Sequence, residues 1–143
     1  MPSPIGNTIM KTIVNSPLHA LVGRNIAVIT VIGCKTGNPI ETPINVVRVG
    51  ETLMVISMRK RTWWRNLRGG QISRLRLAGK LLAVRGEVIE PPSDVVNALK
   101  DYFIQYPGYA KYFNLKLGTD RSPDPLELER LAQERVIIKL NEI

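Results

Sequence analysis

Asn25-Ile26-Ala27-Val28-Ile29-Thr30-Val31-Ile32-Gly33 is the stretch on which the fold turns. Its β-branched side chains fit a pleated surface, and the run is far shorter than the roughly 20 apolar residues a membrane-spanning helix needs. It reads as a buried strand closed by Gly33. Working outward, runs of the same kind cover 40–48, 52–58, 72–77 and 81–89. Their connections at 35–38, 49–51 and 78–80 are too short for the crossover helix that parallel strands require, so the sheet is expected to be antiparallel. A longer segment, 59–71, separates the third run from the fourth. Arg74 and Arg76 alternate with Leu75 and Leu77, marking one solvated face. The first three runs are apolar on both faces, as expected where helices or a partner subunit cover the outside. A last β-branched run at 135–140 can close a barrel. The fold expected is mainly β: six antiparallel strands with peripheral helices.

Helical spacing places apolar residues at 9, 10, 13 and 14, and Ser16-Pro17 offers a second start, so 1–24 is expected to be an N-terminal helical segment. Pro91-Pro92 ends the strand run. Ser93 is then the expected N-cap of a helix with Val95, Val96, Leu99, Tyr102, Phe103 and Tyr106 along one side, stopped by Pro107-Gly108. A shorter helix follows at 126–132, completing helical segments over 93–132. The 143 residues suit one domain, 1–143, with a sizeable core from a 44% hydrophobic content.

No apolar stretch suits a membrane span and the first 14 residues lack a cleavable leader pattern, which points to the cytoplasm. Cys34 and His19 are each alone of their kind and the carboxylates show no ligand spacing, so disulfides, metal sites and hydrolytic triads lack support. The net charge of +8 is uneven: residues 1–86 hold thirteen Lys or Arg against Glu41 and Glu51. That balance suits an anionic partner such as a phosphorylated cofactor or nucleic acid, or else a solvated basic face.

Three segments can carry chemistry. In 33–43, glycines let a turn aim backbone N–H groups at an anion, with Lys35 as a point charge; a plain hairpin connection is the alternative. In 57–70, Arg59, Lys60, Arg61, Arg65 and Arg68 surround Trp63 and Trp64. Guanidiniums grip phosphate, and indoles either stack on a planar ring or fill a core. The combination suits a phosphorylated aromatic ligand or single-stranded nucleic acid. In 106–113, Tyr106, Tyr109 and Tyr112 recur every three residues, as a packed stripe or as hydroxyls bordering a pocket.

Taken in order, Ser16-Pro17-Leu18-His19, Gly33-x-Lys35-Thr36-Gly37-x-Pro39, Trp63-Trp64-x-Asn66-Leu67 and Tyr106-Pro107-x-Tyr109 resemble the deazaflavin-dependent nitroreductase family. That resemblance implies the split β-barrel seen also in flavin mononucleotide-binding, pyridoxamine phosphate oxidase-like proteins. It implies binding of factor 420, a deazaflavin with a phosphate and an oligoglutamate tail, with flavin mononucleotide (FMN) as the alternative cofactor. The expected contacts are Lys35, Thr36, Gly37, Pro39, Thr42 and Pro43 on the first segment, Lys35 meeting the phosphate or tail. On the second they are Ser57, Met58, Arg59, Lys60, Trp63, Trp64 and Asn66, with Ser57 near the ring. Tyr106, Tyr109 and Tyr112 would line the substrate side and, with Ser57, serve catalysis. The implied reaction is hydride transfer from reduced deazaflavin to a quinone or nitroaromatic acceptor. A homodimer is expected as well. Cys34 and Ile40 stand where members commonly carry basic residues.

Overall fold

A computed structural model describes residues 26–115 and 123–143. The helical segment expected over 1–24, with His19, lies outside the described residues. Seven strands form one antiparallel sheet: β1 (Ile26–Ile32), β2 (Pro39–Asn45), β3 (Val47–Val49), β4 (Thr52–Met58), β5 (Ile72–Leu77), β6 (Lys80–Ile89) and β7 (Arg135–Glu142). Six strands become seven because the run 40–48 divides. β2 stops at Asn45, Val46 turns into the core, and β3 starts at Val47.

This division sets the shape. The spatial order is β2-β1-β5-β6-β7-β4-β3, so consecutive β2 and β3 occupy opposite edges. A flat sheet of that order would separate its edges by about 28 Å, at about 4.8 Å per strand, whereas one intervening residue reaches about 3.5 Å. The sheet therefore curls until its edges meet in a half-barrel, consistent with a split barrel. β7 does not close an edge: it lies between β6 and β4 and joins the two halves. The β5–β6 turn is Ala78-Gly79, both at positive φ (51° and 78°), and it pairs Leu77 with Lys80. Such two-residue turns match strand twist, which explains why β6 starts one residue earlier than its apolar run suggests.

Alternation along each strand sorts side chains into two cores. Val136, Ile138 and Leu140 of β7, Leu53 and Val55 of β4, and Ala27, Ile29 and Val31 of β1 fill the barrel. Ile137 and Met54 point the other way, under α1 (Pro92–Gln105) and α2 (Pro125–Glu134). The expected helical cover exists over β4 and β7. Among the described residues nothing comparable covers the outer face of β1 and β5, where Ile32 and Ile72 are exposed.

The N-cap of α1 is Pro91, not Ser93. Pro92 takes the first position, where its missing N–H costs nothing, and Ser93 falls within the first turn. Asp124 caps α2, its Oδ1 accepting from Leu126 N at 2.9 Å. No helix among the described residues is long and apolar enough to cross a membrane.

The connection from β4 to β5 folds into a 3-10 turn, Trp63–Leu67, whose Trp63, Trp64 and Leu67 plug one end of the barrel. Leu67 lies on Gly86 of β6, where an added Cβ would sit 3.1 Å from the Leu67 side chain. Glycine at that position lets the plug approach the sheet closely.

Candidate active site

At the end of β4, Ser57 faces the barrel and is buried. Its Oγ accepts from the Trp63 indole Nε1 at 3.1 Å and donates to Met58 O at 3.4 Å, a long contact. The indole bond holds the 3-10 turn against the strand end. Beside it lies a cavity of about 220 Å³ lined by Pro43, Ser57, Met58, Arg61, Trp63 and Arg135, among others. Thus Pro43, Ser57, Met58 and Trp63, expected as ligand contacts from separate segments, converge on one space. Thr42 is buried in the neighbouring register position, opposite Ile29.

Asn66 ties this turn to the β1–β2 hairpin. Its Nδ2 donates to Trp63 O at 3.0 Å and its Oδ1 accepts from Cys34 N at 2.9 Å. A second cavity of about 380 Å³ opens there, lined by Gly33, Cys34, Arg65, Asn66, Arg68 and Ser73, among others. Ser73 is buried, and its Oγ has no hydrogen-bond partner among the described residues. A buried hydroxyl without a partner in a cation-lined space fits a ligand that brings an acceptor.

The hairpin is a plain connection in its backbone. Gly33 N donates to Asn38 O, Gly37 N to Gly33 O and Asn38 N to Thr36 Oγ1, so these N–H groups close the turn instead of cradling an anion. Gly37 takes a φ of 73°, the left-handed conformation that favours glycine. Lys35, Thr36, Gly37 and Pro39 are exposed at the rim.

The cations divide by task. Arg59 Nη2 donates to the carbonyls of Glu90, Ala132 and Arg135 at 2.8, 2.9 and 2.9 Å, a structural clip. Lys60 is exposed. Arg68 grips Glu90 through Nε and Nη2 at 3.0 and 2.6 Å, and that hydrogen bond holds the Glu90 carboxyl below its usual range. Trp64 is buried in the barrel core, with the Arg65 and Arg68 guanidiniums 5.5 and 5.1 Å from its ring centre.

The tyrosines lie on a 3-10 helix, Pro107–Phe113, and the residue before it. With three residues per turn, i and i+3 eclipse. Tyr106 and Tyr109 accordingly stack at 5.3 Å and 7°, and Tyr112 follows at 5.9 Å. Tyr106 donates its hydroxyl to Arg48 O at 2.6 Å. None of the three lines either cavity. Behind them Tyr102 is buried, and burial raises its hydroxyl well above the usual phenol range.

A wider depression of about 620 Å³, lined by Arg68, Gly69, Gly70, Arg85, Glu87 and Asn141 among others, includes none of the expected site residues. Two of its cations are already engaged, Arg68 by Glu90 and Arg85 by Gly70 O. The two smaller cavities are therefore the candidate site. Ser73 and Arg135 were not among the residues the sequence marked, whereas Arg65 was one of the cations noted around the tryptophans. The only signal for Arg135 is a charge heading the apolar run Val136, Ile137 and Ile138.

The fold belongs to the class of antiparallel half-barrels. It is similar to a pyridoxamine 5'-phosphate oxidase-related, FMN binding protein from Nostoc punctiforme, at 10% identity and a TM-score of 0.58, covering 99% of this chain and 82% of that one. It is also similar to the FAD and heme binding protein from Mycobacterium smegmatis, at 18% identity and a TM-score of 0.56, covering 85% of this chain and 62% of that one. A protein described as an F420 reductase aligns over 90% of this chain and 94% of its own, at 18% identity and a TM-score of 0.48. No curated protein matches the sequence. Within that class, residues 7–122 match the model of the F420H(2)-dependent quinone reductase family, and the chain belongs to that family. It is an oxidoreductase of the deazaflavin-dependent kind.

Proposed function

We propose that the chain transfers hydride from reduced factor 420 to an electron-poor acceptor such as a quinone or a nitroaromatic. The observation that carries this reading is the Ser57–Trp63 pair: one buried hydrogen bond gathers Pro43, Ser57, Met58 and Trp63 around a single cavity. Through Asn66 the same turn walls the Arg65–Arg68–Ser73 cavity. In this reading a planar ring lies beside Ser57 and Trp63, with its phosphate or tail toward Arg65 and Ser73. In that pose Arg65 supplies charge that Cys34 and Ile40 lack. The bound cofactor supplies the hydride; the protein orients it, excludes water and meets charge with charge.

Nucleic-acid binding would need an exposed stacking platform. Trp63 and Trp64 are 6% and 2% exposed, which speaks against it.

The test is a fluorescence titration of the purified chain with factor 420 and, separately, with FMN at two salt concentrations. Micromolar or tighter binding that prefers the deazaflavin supports the reading. Binding of neither ligand reduces it to a likeness of fold.

We assign the tyrosine ladder to the substrate side of the same cytoplasmic enzyme. Tyr109→Phe is then expected to lower turnover about tenfold, the scale of one lost hydrogen bond. An unaltered rate returns the ladder to packing.

A further inference from the structure

Two cations line the Ser57 cavity, Arg61, which is exposed, and Arg135, which is half-buried. Arg135 opens β7 opposite Met58 and lines the cavity beside Ser57, Arg61 and Trp63. Its guanidinium lies 5.4 Å from the Phe113 ring centre, and its Nε is buried without a hydrogen-bond partner among the described residues. Arg59 is its counterexample: next to Met58 in the chain, it spends Nη2 on three carbonyls, one of them Arg135's own. The one ion pair among the described residues joins Arg68 to Glu90, so no described carboxylate pairs with Arg135. Burial holds its pKa below the ordinary guanidinium value, and Glu134 offsets this only through space. A guanidinium stays charged at any ordinary pH, and this one is half-buried. A half-buried guanidinium that lines a cavity and has no carboxylate partner among the described residues suits a ligand that supplies one.

We propose that Arg135 is the anion-holding residue of this cavity, its guanidinium meeting a phenolate-type oxygen of the substrate. The assignment deepens the reductase reading and rests on it for the identity of the substrate. In the reaction, a C–H bond of the reduced deazaflavin breaks and the hydrogen leaves with both electrons. One new bond to hydrogen forms on the quinone, and the negative charge rests on a ring oxygen until water protonates it. The deazaflavin is left oxidised once it gives its N–H proton to water, which balances the proton taken up by the ring oxygen. That oxygen is the anion Arg135 meets, and the charge appears only as the acceptor is reduced, so the contact favours the transition state over the neutral quinone.

The probe is 4-nitrophenol without reductant, because its phenol and phenolate absorb at different wavelengths. At a pH where the free probe is mostly phenol, the full-length chain should bind it as the phenolate. Arg135→Met should weaken phenolate binding roughly ten- to hundredfold, the worth of one charge-assisted hydrogen bond, and Arg135→Lys should retain part of it. The neighbouring charged groups, Arg59, Arg61 and Glu134, stay in place in both variants. Equal phenolate binding by a folded Arg135→Met chain overturns the proposal. Should that variant not fold, the native chain still decides: a probe bound only as neutral phenol, or not bound at all, overturns it as well. Phenolate binding by a chain that does not bind factor 420 would sink the reductase reading and leave the Arg135 assignment standing.

Discussion

Arg59→Ala is expected to destabilise the fold by about 2–4 kcal/mol, read as a fall in the urea midpoint with little change in slope. The Arg59 Nη2 carries two N–H groups and meets three carbonyl oxygens at 2.8 to 2.9 Å, so at least one of these bonds is shared. Each oxygen ends a different element: Glu90 follows β6, Ala132 lies in the last turn of α2, and Arg135 opens β7. Helix and strand ends leave carbonyls unpaired, and a cation there satisfies them while opposing the helix dipole. Truncation leaves three half-buried acceptors to find water. The backbone N–H of Arg59 still donates to Glu134 O at 2.8 Å, which keeps the effect short of unfolding. Arg59→Lys should recover part of the loss, since an ammonium donates but cannot copy the planar fork. An unchanged midpoint would mean that water serves the three oxygens as well as Arg59 does. Because the clip also seats Arg135, phenolate affinity in Arg59→Ala should fall in step with its stability.

Periodicity and turn chemistry made the framework legible, since both act over a few residues. The ranges of β4 and β5 coincide with their runs of apolar residues, and the short connections required antiparallel pairing. Division of the run 40–48 was not legible, because Val46 is as β-branched as its neighbours. What separates β2 from β3 is that their partners lie at opposite edges of a curled sheet, which is long-range information. The site divides in the same way. Gly33-x-Lys35-Thr36-Gly37, Trp63-Trp64-x-Asn66 and the tyrosines could be picked out by type and spacing, and Pro43, Ser57, Met58 and Trp63 do share a cavity. Which cation is spent inside the protein and which faces a ligand could not be read. Arg59 and Arg135 are the same residue type, and only the carbonyls within reach of one guanidinium distinguish them.

The adjacent tryptophans should separate folding from function. Trp64→Ala is expected to cost about 3–5 kcal/mol, the range for deleting a large aromatic side chain from a packed core. Trp64 is 2% exposed among Leu67, Val84 and the β1 side chains of the barrel, and no small shift of the plug can fill its volume while Leu67 already rests on Gly86. Its Nε1 has no hydrogen-bond partner among the described residues, so Trp64→Phe, which removes an unsatisfied donor, should recover most of that stability. Trp63 should behave in the opposite way. Its indole both packs and donates to Ser57, so Trp63→Phe keeps most of the volume and loses one hydrogen bond, about 1 kcal/mol. Affinity for factor 420 should nevertheless fall about tenfold, because the same bond holds the turn against the cavity and fixes the Ser57 hydroxyl. Denaturant melts and ligand titrations on the three variants give the comparison. Equal losses of affinity in Trp64→Phe and Trp63→Phe would mean that ligand binding follows the integrity of the plug, and the Ser57–Trp63 bond would lose its special place in the site.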